Sequence, residues 1–93
     1  MKNYELMTIA KLNIGEDGAR NLSNDDKDMI SKFKGKILND DFWGKRKFAY
    51  EINGATEGFY DVITFEMSTG DLLKLKSKLN LMEGLVRYLV TAD

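Results

Sequence analysis

Cysteine, histidine and proline are all missing from this sequence. Without cysteine there is no disulfide framework and no thiol nucleophile, and the chain suits a reducing compartment. Without histidine there is no imidazole acid–base group, and the usual zinc ligand sets fall away with it. The lack of proline rules out cis-proline turns and proline-rich ligand segments. No apolar run approaches the ~20 residues that span a bilayer. The first stretch, Met1 to Leu12, is interrupted by Lys2, Asn3, Glu5 and Lys11 and does not read as a signal peptide. The glycines match neither a dinucleotide-binding nor a Walker pattern, and no acidic stretch has calcium-loop spacing. These absences remove the usual catalytic, zinc-binding and membrane-spanning groups; the expectation is no catalytic residue, no metal, no cofactor, no small-molecule substrate and no membrane partner.

What is present suits one compact unit. The 93 residues are 43% hydrophobic and 31% charged, enough for a core and a charged surface in a single domain spanning 1–93. The net charge of −1 gives no overall attraction to nucleic acid. Any such contact must come from a local basic patch.

Tyr4 to Leu12 alternates as a strand, with Tyr4, Leu6, Thr8, Ala10 and Leu12 on one side. Asn13 to Gly18 reads as a turn. A helix follows, starting near Asp17 or near Asn24, with Ser23 and Asp26 at capping-box spacing and an end near Gly35. Asp25, Asp26 and Asp28 read as its acidic first turn. Ile37 to Ile52 is a second strand region, clearest at Phe48, Tyr50 and Ile52. Asn53-Gly54 marks a turn, placed in a loop of four or five residues before the next strand. That strand, Phe59 to Met67, sets Phe59, Ile63, Phe65 and Met67 on one face, interrupted by Asp61, and Tyr60, Val62, Thr64 and Glu66 on the other. Ser68 and Asp71 start a second helix with a Leu72, Leu75, Leu79 stripe. Leu85 to Thr91 is the last strand.

The order β-α-β-β-α-β is the ferredoxin-like arrangement of the α+β class: a four-stranded antiparallel sheet with two helices on one face. The other face is left open, as in RNA-recognition sheets. Such a fold by itself assigns no function.

Trp43-Gly44-Lys45-Arg46-Lys47 joins an aromatic residue to three consecutive cations. These can neutralise phosphates, or they can simply be a solvated strand end that discourages edge pairing. Phe48, Phe59 and Phe65 read as core, whereas Tyr60 has the parity of the open face. Arg87 lies within the last strand and must meet water, a phosphate or a carboxylate such as Glu5 or Glu66.

Taken together, Tyr4-Glu5, the block from Trp43 to Ile52, Gly58-Phe59-Tyr60, Thr64 to Met67 and Leu79 to Val90 resemble the bacterial small-subunit ribosomal protein six family. The family's W-G-[KR]-R-x-L-A-Y-[EP]-I block is met at nine of ten positions, with Phe48 in place of Leu. Leu12 to Asp41 matches poorly. The resemblance implies a non-enzymatic, cytoplasmic component of the small ribosomal subunit. It would bind the central domain of small-subunit rRNA together with small-subunit ribosomal protein eighteen. By position, it implies contacts through Lys2, Tyr4, Trp43, Lys45, Arg46, Lys47, Tyr60 and Arg87. A basic partner would supply much of the phosphate neutralisation that the net charge of −1 cannot. Two other classes are compatible with the fold: a regulatory or small-ligand-binding homodimer, and a small dimeric barrel enzyme, the latter disfavoured by the missing histidine and cysteine.

Overall fold

The computed structural model describes residues 2–52 and 55–92, apart from the side chains of Ala49, Tyr50, Ile52 and Ala55. Strand β1 (Lys2–Lys11) leads through a 3-10 turn (Leu12–Ile14) into helix α1 (Gly15–Lys32). Strands β2 (Lys36–Ile52) and β3 (Ala55–Met67), helix α2 (Thr69–Leu79) and strand β4 (Leu85–Ala92) follow. All neighbouring strands are antiparallel, in the order β2-β3-β1-β4. The ferredoxin-like expectation holds.

Strand alternation decides which side chains meet the helices. On β1 the even positions Tyr4, Leu6, Thr8 and Ala10 are buried, opposite Phe65, Ile63, Asp61 and Phe59 of β3. Leu72, Leu75 and Leu79 of α2 and Ile30 of α1 close the main core over them. Ala19 of α1 joins Ala10 and Phe59 in a smaller cluster. Both helices therefore cover the same side of the sheet.

Helix α1 departs from the sequence expectation. It begins at Gly15, directly after the 3-10 turn, so Asn13 to Gly18 is not a loop. Glu16 and Asp17 occupy the first turn, where negative charge is favoured. Ser23 and Asp26 lie mid-helix, on the buried face with Ala19 and Ile30, so they form no capping box. Asp25 and Asp28 likewise sit well inside the helix. Polar residues on the inward face masked the helical period. The helix ends in a Schellman arrangement: Gly35 N–H donates to the Ile30 carbonyl at 2.8 Å and Lys34 N–H to the Ser31 carbonyl at 3.1 Å. The left-handed residue is Lys34, with φ +65. Gly35 is needed for a different reason, since a Cβ there would stand 2.7 Å from Ile30 Cγ2 and 2.8 Å from Met67 Cε.

Helix α2 starts as its sequence predicts. Ser68 Oγ accepts from Asp71 N–H at 3.3 Å and donates to Asp71 Oδ2 at 2.8 Å. The β2–β3 connection is tighter than expected, because Ile52 and Ala55 are already partners across the ladder. The turn assigned to Asn53-Gly54 lies outside the described residues. Pairing with Arg46 and Lys47 carries β3 back through Gly58 and Glu57, where no apolar alternation announced a strand.

Candidate functional site

The odd-numbered side of β1 faces away from both helices. Following the registers across the sheet gives its rows. Arg46, Gly58 and Lys11 share one row; Gly44, Tyr60, Ile9 and Arg87 share the next. Asp41, Val62, Met7 and Leu89 come third, and Asn39, Thr64, Glu5 and Thr91 fourth. The aromatics gather at one end with Lys11, Arg46 and Arg87; apolar side chains fill the middle beside Asp41; and the far end is mixed, with Glu5, Glu66 and Lys36.

The aromatic end is built by a bulge. Between Phe42 and Gly44 the β2 register shifts, leaving Trp43 without a partner on β3. Gly44, at φ +80, supplies the backbone freedom. The Trp43 ring is re-aimed onto Tyr60, with centroids 6.1 Å apart and planes within 6° of parallel. Its indole N–H donates to Asp41 Oδ2 at 2.9 Å. Trp43 stays 41% exposed, so its outer surface is available. Phe48 also packs against Tyr60, at 5.9 Å between centroids.

This corrects the core assignment of Phe48. Phe59 and Phe65 are buried under the helices, but Phe48 is a half-buried member of the outer aromatic strip. Parity sets Phe48 and Phe59 on opposite faces only once their register is known. Gly58 makes room for the strip: Ile9 and Phe48 both lie over its missing side chain.

The cationic run does not form one patch. Lys45 opposes Phe59 and pairs with Glu57 at 3.8 Å, on the helix-facing side. Lys47 shares that side, opposite Glu57. Arg46, between them, belongs to the open face, with its guanidinium donating to the Lys45 carbonyl at 3.0 Å. Arg87 is exposed opposite Ile9, and among the described residues it forms no ion pair. Glu5 instead faces Thr91 and Glu66 faces Asn3, so neither of the carboxylates considered as its partner takes that role.

Lys2 and Tyr4 lie apart from this constellation. At about 3.3 Å per residue, Lys2 is roughly 23 Å along β1 from the row of Tyr60. Tyr4 is 5% exposed, tilted against Phe65 in the core, with its hydroxyl 3.5 Å from Thr69 Oγ1. Lys11 did not stand out in the sequence. It is exposed, shares a row with Arg46, and has the parity of Met7 and Ile9, which was the signal available.

Among the described residues no group of three or more acidic side chains is placed to hold a metal ion. No described helix is long and apolar enough to cross a membrane. The open face offers stacking, hydrogen bonding and positive charge, a combination suited to binding.

Comparison with known proteins assigns the chain. The family model described as "Ribosomal protein S6" matches residues 3–92. The small ribosomal subunit protein bS6 of Fusobacterium nucleatum is 37% identical over 90 residues, covering 97% of this chain and 96% of that protein. The bS6 of Bifidobacterium longum is 42% identical over 86 residues, covering 90% and 87%. The crystal structure of 30S ribosomal protein S6 from Thermotoga maritima superposes with a TM-score of 0.94 at 33% identity, covering 99% of this chain and 87% of that one. The C-terminal domain of the MgtC protein from Mycobacterium tuberculosis has a TM-score of 0.63 at 11% identity, which shows a shared fold alone. With the sheet order, the Trp43 block and the match along nearly its whole length in agreement, this chain belongs to the ribosomal protein S6 family of the small ribosomal subunit.

Proposed function

We propose that the chain is a non-enzymatic structural constituent of the small ribosomal subunit that binds the central domain of its rRNA jointly with small-subunit ribosomal protein eighteen. The observation that carries this reading is one end of the open face, where Trp43, Tyr60 and Phe48 form an aromatic strip beside Lys11, Arg46 and Arg87. Exposed aromatic rings accept splayed bases, and arginine forks onto phosphate. In this reading the aromatic and cationic end takes RNA. The apolar row of Met7, Val62 and Leu89 takes the protein partner, and Lys45 and Lys47 add charge from the flank. Lys2 contacts the complex from the far end of β1, and Tyr4 acts only by holding that strand in the core.

Replacing Lys11, Arg46 and Arg87 with alanine tests this against a central-domain rRNA fragment loaded with the partner protein. Removing a phosphate contact flattens the slope of log affinity against log salt by about 0.7–0.9 for each phosphate given up. Alanine at Lys74 and Lys78, on exposed positions of α2, leaves affinity and slope unchanged. An unaltered slope in the triple variant, with its circular dichroism intact, rules out these residues as phosphate contacts.

A further inference from the structure

A second unusual constellation lies on the opposite side of the sheet. Asp26 of α1 is 0% exposed and Asp61 of β3 is 3% exposed. Both carboxyl oxygens of Asp26, and Oδ1 of Asp61, have no hydrogen-bond partner among the described residues. The remaining oxygen, Asp61 Oδ2, accepts from the Ser23 hydroxyl. Buried polar atoms in native proteins are almost always paired, so three unpartnered oxygens in one spot need a cause.

The surrounding charges sharpen the problem. Helix α1 brings Ser23, Asp25 and Lys27 to the pair, β2 brings Asp40, and β3 brings Asp61 itself. From β1, the buried residue opposite Asp61 is the uncharged Thr8. The nearby ammonium of Lys27 is already bonded to Asp40 Oδ2 at 2.6 Å. A cleft of about 60 Å³ lined by Arg20, Ser23, Asn24, Lys27, Asp40 and Phe42 lies beside the group and shares Ser23 with it. Cation binding is a poor answer, since among the described residues no set of three carboxylates converges as metal ligands.

A neutral carboxylic acid supplies the donor this cluster lacks, because a protonated Asp has an O–H to give. We propose that Asp26 and Asp61 are each held as neutral acids near neutral pH, and that their protons fasten α1 to the sheet as a pH-sensitive joint. Burial first, and then the negative charges of Asp61, Asp25 and Asp40, push Asp26 up to about 8. Asp61 rises to about 7 through burial and its contact with Asp40, against the opposing effects of Ser23 and Lys27. When these protons leave, two buried carboxylates stand in the seam with Asp25 and Asp40 close by. The seam between α1 and β2–β3 then loosens. The joint touches β2 at Asp40, next to the Asp41 and Trp43 pair on the other face, so its state reaches the edge strand that carries the bulge.

Two measurements on the full chain test the joint without reference to RNA. Carbon-13 NMR of the Asp side-chain carboxyls from pH 4 to 9 reads the protons directly. Native-state amide hydrogen exchange over the same range, corrected for intrinsic rates, reads the seam. The expected result is two carboxyl signals that titrate well above the ordinary range. Amides of α1 and β2 lose protection as they do so, while those of α2 keep theirs. In Asp26→Asn, the higher of the two raised signals disappears, that of Asp61 stays raised, and the pH dependence of the α1 amides weakens. Carboxyls that all titrate near 4, or α1 protection whose pH dependence is the same in Asp26→Asn as in the parent, overturn the proposal. Should the variant fail to fold, the parent's titration decides alone.

Discussion

Gly58 is the tightest joint between the core strand and the outer aromatic strip, and alanine there is the sharpest test of the packing. A Cβ on Gly58 would stand 2.7 Å from Ile9 Cγ2, 2.8 Å from the Ala10 carbonyl oxygen and 3.1 Å from Phe48 Cζ. Phe48 can swing aside, but the Ala10 oxygen is backbone of β1, which is hydrogen-bonded to strands on both sides. Ile9 is buried and β-branched, with few alternative rotamers. Forcing a methyl group into such a site costs about 1–3 kcal/mol, and the backbone clash places this case near the upper end. For a domain of this size that lowers Tm by about 10–20 °C. Gly70 provides the matched control: it lies in α2, and a Cβ added there meets nothing within 4 Å, so Gly70→Ala gains about 0.5–1 kcal/mol. Urea unfolding followed by circular dichroism measures both. The single tryptophan adds a local report, because displacing Phe48 and Tyr60 changes the surroundings of Trp43. A Gly58→Ala protein within about 0.5 kcal/mol of the parent, with unchanged emission, refutes the reasoning about strand proximity.

Three further outcomes are expected. In the native state Asp26 keeps its proton to about pH 8, whereas the unfolded chain gives it up near 3.8. The folded chain binds more protons between those values, so stability falls as pH rises across that window, by up to ~1.4 kcal/mol per pH unit, and levels off above it; denaturation midpoints from pH 5 to 9 show this slope in the parent and a shallower one in Asp26→Asn. Ser68→Ala removes the oxygen that accepts from Asp71 N–H and costs about 1 kcal/mol, read from the urea midpoint. Lys34→Gly relieves a left-handed residue at the end of α1 and raises stability by about 1 kcal/mol, read the same way; a decrease would mean that the Lys34 side chain stabilises the helix end through its own interactions.

Much of the architecture is legible along the chain. Alternation at Tyr4 to Ala10 and Phe59 to Met67, the Ser68 cap with its leucine stripe, and the β-α-β-β-α-β order are local patterns, and each appears where its residues predict it. The Trp43 block carries the family resemblance without any need of coordinates. Local patterns suffice there because backbone periodicity and capping depend on neighbours within a few residues.

Other features were decided only in three dimensions. Ser23 and Asp26 look like a helix start in one dimension, because polar residues on a buried face are exceptional and their partner Asp61 lies 38 residues away from Ser23. Phe48 looks like core until the register puts it beside Tyr60. The cations at Lys45, Arg46 and Lys47 look like a single patch, but alternation divides them between two faces, and Lys11 joins Arg46 from another strand. Sequence determines which side chains share a strand's face, whereas the pairing of distant strands determines which faces meet, and both the aromatic strip and the buried acid pair are products of that pairing.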